Sequence, residues 1–62
     1  MVKLTLKAAR INAGLTQSEA AEKLGISKTS LHNYERGKSV PNIRVIKRIE
    51  DVYGVEYKDL FF

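Results

Sequence analysis

The chain has no cysteine and a single histidine, His32. Without thiols there is no disulfide and no thiolate metal site, and one histidine leaves too few ligands for a zinc centre. The usual enzymatic nucleophile–base arrangements are missing too, including the Gly-x-Ser-x-Gly elbow. Gly37-Lys38-Ser39 mimics the end of a phosphate-binding loop, but the earlier glycine of that motif falls on His32 and no strand precedes it. No apolar run approaches the roughly 18 residues of a membrane span. The first five residues, Met1-Val2-Lys3-Leu4-Thr5, show neither a long apolar core nor a small-residue cleavage site, so no signal peptide is expected. These absences predict a non-enzymatic cytoplasmic protein with no metal, cofactor, small-molecule ligand or membrane partner.

Proline is equally scarce. Pro41 is the only one, and it falls in the only stretch long enough to be a loop, 37–42. The residue before proline avoids helical angles, so Val40 is expected to be extended. Acidic residues are scarce between 28 and 48. Lys28, Arg36, Lys38, Arg44, Lys47 and Arg48 face Glu35 alone, a balance of +5. Residues 1–27 balance to +2 and residues 50–62 to −3, which accounts for the net charge of +4. A polyanion would be drawn to the middle of the chain, although a solvated lysine-rich surface has the same composition.

The 62 residues allow one domain, 1–62. A chain of this size buries only roughly 60% of its unfolded surface, so its core is small. Helical periodicity fills most of it. A first helix is expected over about Leu6–Ala13, with Thr5 as N-cap and Leu6, Ala9, Arg10 and Ala13 on one face. A second starts at Thr16, whose spacing to Glu19 makes a capping box, and turns Gln17, Ala20, Ala21 and Leu24 inward. Gly25 can stop it. Ser27 then caps a third helix that ends near Gly37. Two helices joined by so tight a turn make a helix-turn-helix. A fourth helix is expected after Asn42, with a core stripe of Ile43, Ile46, Ile49 and Tyr53, and a short fifth over about Tyr57–Phe61. No segment alternates convincingly enough to be a strand.

The third helix has two unlike sides. Leu31 and Tyr34 share one, with Glu35 at its edge, while Lys28, Thr29, His32, Asn33 and Arg36 spread over about 140° of the other. Lysine can donate to guanine O6 and N7, asparagine can pair doubly with adenine, and threonine offers a hydroxyl and a methyl. A solvated helix face would also be polar. Arg10 lies on the apolar stripe of the first helix, so an unpaired charge there would be costly. An Arg10–Glu35 ion pair locking the first helix to the third is the expected resolution, the alternative being two independent exposed side chains.

Gly14-Leu15-Thr16-Gln17, Ala21-Glu22-Lys23-Leu24-Gly25-Ile26-Ser27 and Tyr34-Glu35-Arg36-Gly37 followed by Pro41 occur in order and at set spacing. In these residues the chain resembles the Cro/C1-type (XRE-like) helix-turn-helix family of phage and bacterial regulators, over roughly residues 4–61. The resemblance implies an all-α, compact five-helix domain of the lambda repressor-like kind, binding double-stranded DNA, often as a dimer and often as a repressor. It also places an Arg–Glu pair at Arg10 and Glu35. It puts Lys28, Thr29, His32 and Asn33 at or near base-contacting positions, and uses the region of Arg36, Lys38, Ser39, Asn42 and Arg44 for phosphates. Gln17, at the start of the second helix, is a further expected phosphate contact; it could instead pack inward or cap. Ala20 departs from the pattern where leucine is commoner, and Glu50 where a small residue is commoner.

One recognition helix covers few base pairs, so a homodimer on a palindromic operator is expected. Val52, Val55, Leu60, Phe61 and Phe62 supply the expected interface, unless Leu60 and Phe61 fill the monomer core instead. The rival function is a protein-binding helix-turn-helix module, such as an antitoxin or the partner of another regulator.

Overall fold

Thr5, Thr16, Ser27 and Asn42 each hold an extended backbone and turn a side-chain oxygen onto the N–H three residues ahead, at 3.0–3.1 Å. Such a cap is worth about 1 kcal/mol. In this computed structural model, which describes residues 4–61, the four caps start α1 (Leu6–Asn12), α2 (Gln17–Leu24), α3 (Lys28–Glu35) and α4 (Ile43–Tyr53). At α2 the cap is reciprocal, because Glu19 Oε1 also accepts from the Thr16 N–H at 2.9 Å. That backbone bond, followed by the Thr16 hydroxyl, holds the Glu19 carboxyl below the usual range.

The chain reverses between α2 and α3 within three residues. Gly25 takes a left-handed φ of 72°, which an L side chain would resist. The next N–H, that of Ile26, returns to the Ala21 carbonyl at 3.0 Å. Ala20 and Ala21, both buried, let the neighbouring elements close on α2, so the small residue at 20 sits in the core. Leu24, Leu31 and Ile49 are the largest fully buried side chains, each stabilising the fold by roughly 1.5–3 kcal/mol on burial. Leu6, Ala9, Tyr53 and Leu60 complete that cluster. Ile43, expected on the core stripe, is instead 67% exposed. It is the first residue of α4, and the stripe meets the core only from Val45 and Ile46 onward.

A fifth α-helix does not form. Tyr57–Asp59 make one 3-10 turn, and Leu60–Phe61 extend as a strand, β2, parallel to β1 (Leu4–Thr5). Leu4 pairs with Leu60 and Thr5 with Phe61. Glu56 offers this last segment no side-chain cap, and the Tyr57 N–H is instead taken by Glu50 Oε2 at 2.9 Å. Glu50 is thus a tether for the tail. Two-residue strands are too short to alternate, which is why the sequence pattern hides them. Leu60, expected at a dimer interface, is only 4% exposed and belongs to the monomer core. Val52 and Val55 are half-buried against that core, and Phe62 lies outside the described residues. Among the described residues no helix is long and apolar enough to cross a membrane.

Candidate nucleic-acid interface

Leu31 fixes α3 from behind, fully buried against the core. The opposite side presents Lys28, Thr29 and His32 to solvent, with Asn33 half-buried beside them and Arg36 exposed at the helix end. The five polar residues therefore lie on one accessible surface. The Asn33 backbone carbonyl accepts from the Lys38 N–H at 2.9 Å, which folds the 37–39 turn back onto the end of α3. Lys38, Ser39, Asn42 and Arg44 follow, all exposed. The Asn42 carbonyl oxygen Oδ1 is occupied by capping α4, leaving its amide hydrogens to donate outward.

The exposed cations of residues 28–48 are uncompensated. Lys28, Arg36, Lys38, Arg44, Lys47 and Arg48 are all exposed, and among the described residues none of them pairs with a carboxylate. Nothing in the spacing of Lys47 and Arg48 separates a contact from a solvated lysine or arginine. Among the described residues there is no cluster of three His, Asp or Glu placed to hold a metal.

The rear of α3 is held by charge rather than by apolar contact alone. Arg10 Nε donates to Glu35 Oε2 at 2.7 Å, with the two side chains only 9% and 4% exposed. Arg10 Nη2 reaches Oε1 at 3.4 Å, and Nη1 donates to the Leu15 carbonyl at 2.9 Å. The guanidinium so ties α1, the turn before α2 and α3 together. Buried charges tolerate their loss of water only when paired and hydrogen-bonded, as these are.

Gln17 joins this group. Its Nε2 donates to Glu35 Oε1 at 3.0 Å and lies 3.4 Å from His32 Nδ1. The side chain expected to contact a phosphate is therefore engaged with Glu35 and His32 of α3 in the free protein. Only the Gln17 backbone N–H, free in the first turn of α2, is left for an anion. Sequence spacing could not show this, because both partners lie on another helix, α3, 15 and 18 residues further along the chain.

Tyr53 has surroundings that the sequence does not signal. Its hydroxyl is buried with no hydrogen-bond partner among the described residues. Burial first, and the Glu35 carboxylate second, push its phenol up to about 12, against the opposing pull of Arg10.

Comparison with known proteins accords with this geometry. The sequence pattern of the family described as helix-turn-helix matches residues 6–60, and the chain belongs to that family, in its Cro/C1 (XRE) branch. It is 46% identical over 50 residues to the HTH-type transcriptional regulator ImmR of Bacillus subtilis, covering 81% of this chain and 39% of the relative. It is 35% identical over 60 residues to the uncharacterized HTH-type transcriptional regulator MJ0272 of Methanocaldococcus jannaschii, covering 97% and 91%. A third relative is the HTH-type transcriptional activator BcrR of Enterococcus faecalis, 34% identical over 55 residues, with 89% of this chain and 27% of the relative covered. The chain thus spans well under half of two of these proteins and nearly all of the other. No solved structure matches.

Proposed function

We propose that this chain is a non-enzymatic, sequence-specific regulator of transcription that binds double-stranded DNA by laying α3 in the major groove. One observation carries the reading: the polar side of α3 is accessible, anchored from behind by Leu31 and the Arg10–Glu35 pair, and surrounded by unpaired cations. A major groove admits one α-helix, whose first turns reach base edges. Lys28, Thr29, His32 and Asn33 are the base-contacting set. Arg36, Lys38, Ser39, Asn42 and Arg44, with the Gln17 backbone N–H, hold phosphates and so fix register without reading sequence.

Repression by occupying a promoter is the mode we favour, since a domain of this size can exclude another protein from DNA without further contacts. Two copies on a palindromic operator would place their helices 34–36 Å apart, or a multiple of that. With Leu60 in the core, the half-buried Val52 and Val55 and the end of the chain are what remains for the contact between them. The test is in-vitro selection from random duplex DNA, followed by footprinting. The expected result is one enriched half-site, present twice with two-fold symmetry. Retention of all sequences alike, or of none, would overturn the reading in favour of a protein-binding role.

A further inference from the structure

The hydrogen bonds behind α3 do not stop at the buried ion pair. They lead from Arg10 to Glu35, from Glu35 to Gln17, and from Gln17 to the imidazole of His32. His32 is exposed on the groove side of α3, so a buried arrangement ends at the candidate reading surface.

The direction of each bond follows from the first. Arg10 donates only, so Glu35 accepts. Glu35 is a carboxylate acceptor, so the group facing it must be the amide nitrogen of Gln17. Turning that amide over would set its oxygen against a carboxylate oxygen. The amide nitrogen carries two hydrogens and accepts nothing. With one hydrogen on Glu35 Oε1 at 3.0 Å, the other is available to His32 Nδ1 at 3.4 Å. Nδ1 must then be the acceptor. In a neutral imidazole the remaining nitrogen carries the proton, and which one does so is set by the bond the other makes.

We propose that Arg10, Glu35 and Gln17 fix the polarity of His32, so that α3 presents Nε2–H outward as a hydrogen-bond donor. In the major groove a donor selects guanine N7 and O6, adenine N7 or thymine O4, and is opposed by the amino groups of cytosine and adenine. His32 is then a specificity-determining residue of known sign, and Gln17 is its positioning residue. This rests on the major-groove reading above, but the polarity itself belongs to the free protein.

Long-range 1H–15N correlation spectra of the full chain at pH 8, where a free imidazole is neutral, read the tautomer directly. The expected wild-type spectrum shows Nδ1 without a proton and Nε2 with one, and Gln17→Ala shows a measurable fraction of the Nδ1–H form. A dominant Nδ1–H form, or an unchanged spectrum in Gln17→Ala, overturns the proposal. A binding cycle on a selected half-site tests the consequence. Gln17→Ala should weaken binding by about threefold or more when His32 is present and have no effect in a His32→Ala background. Equal losses in both backgrounds would make Gln17 a direct phosphate contact and defeat the positioning role. If selection returns no preferred site, base reading fails on its own, and the spectrum still decides the polarity.

Discussion

Glu35 takes bonds from Arg10 on one helix and Gln17 on another while standing on a third. Removing it leaves a guanidinium nearly out of water with the Leu15 carbonyl as its remaining partner. Glu35→Ala should therefore cost on the order of 3–5 kcal/mol, measured by thermal melting. A loss under about 1 kcal/mol would be the behaviour of an exposed pair. Tyr53 stands beside this pair and poses the reverse problem, since its hydroxyl is buried and has no hydrogen-bond partner among the described residues. Leaving such a group unsatisfied costs about 1–3 kcal/mol, so Tyr53→Phe should stabilise the fold by about 1 kcal/mol. The pH dependence has a definite sign. The folded phenol sits at about 12 against an ordinary 10, so the neutral form is the one the fold keeps. Stability owed to it is intact below pH 10 and lost between pH 10 and 12 as the unfolded chain ionises first. Urea titrations across that range should show a decline that Tyr53→Phe reduces. Arg10 was visible from its position on an apolar stripe. Tyr53 was not, because a tyrosine on a core stripe looks complete until its hydroxyl is placed.

The elements whose signals are local are the ones the sequence reveals. Thr5, Thr16, Ser27 and Asn42 each cap with an atom three residues from the group it serves, and Gly25 ends α2 by its own backbone freedom. The tail obeys distant partners instead. Glu50 draws the Tyr57 N–H, and Leu4 lines up with Leu60, across separations that periodicity does not register. Ile43 has the right spacing for the core but lies at the overhanging start of its helix. The placement of Leu60 carries a prediction. Leu60→Ala should lower stability by about 2–5 kcal/mol, as a leucine removed from a core does, seen as a reduced urea midpoint. A wild-type midpoint combined with altered sedimentation would return Leu60 to an interface between copies. For Gln17, a place at a helix start suggests a phosphate contact, whereas the inward-packed alternative depends on partners on α3 that spacing does not show.

Across the whole molecule, charge is segregated. Residues 28–48 balance to +5 and residues 50–62 to −3, so the basic region is not neutralised by its own chain. Binding to duplex DNA should weaken linearly on a log–log plot against salt, with a slope of about −0.9 for each phosphate neutralised. Fluorescence anisotropy over a range of potassium chloride would measure it, and a flat line would remove the electrostatic half of the proposed function. The parallel pairing of Leu4 with Leu60 has a consequence for engineering. Residues 4 and 60 lie side by side, so the stretch between them nearly closes on itself. A linker from residue 60 back to residue 4, with the chain opened at Ser39 in the exposed turn where such rearrangements are best tolerated, would permute that stretch. A permuted molecule of that kind would retain its scaffold while severing one stretch of the surface assigned to phosphates, allowing architecture and recognition to be measured apart.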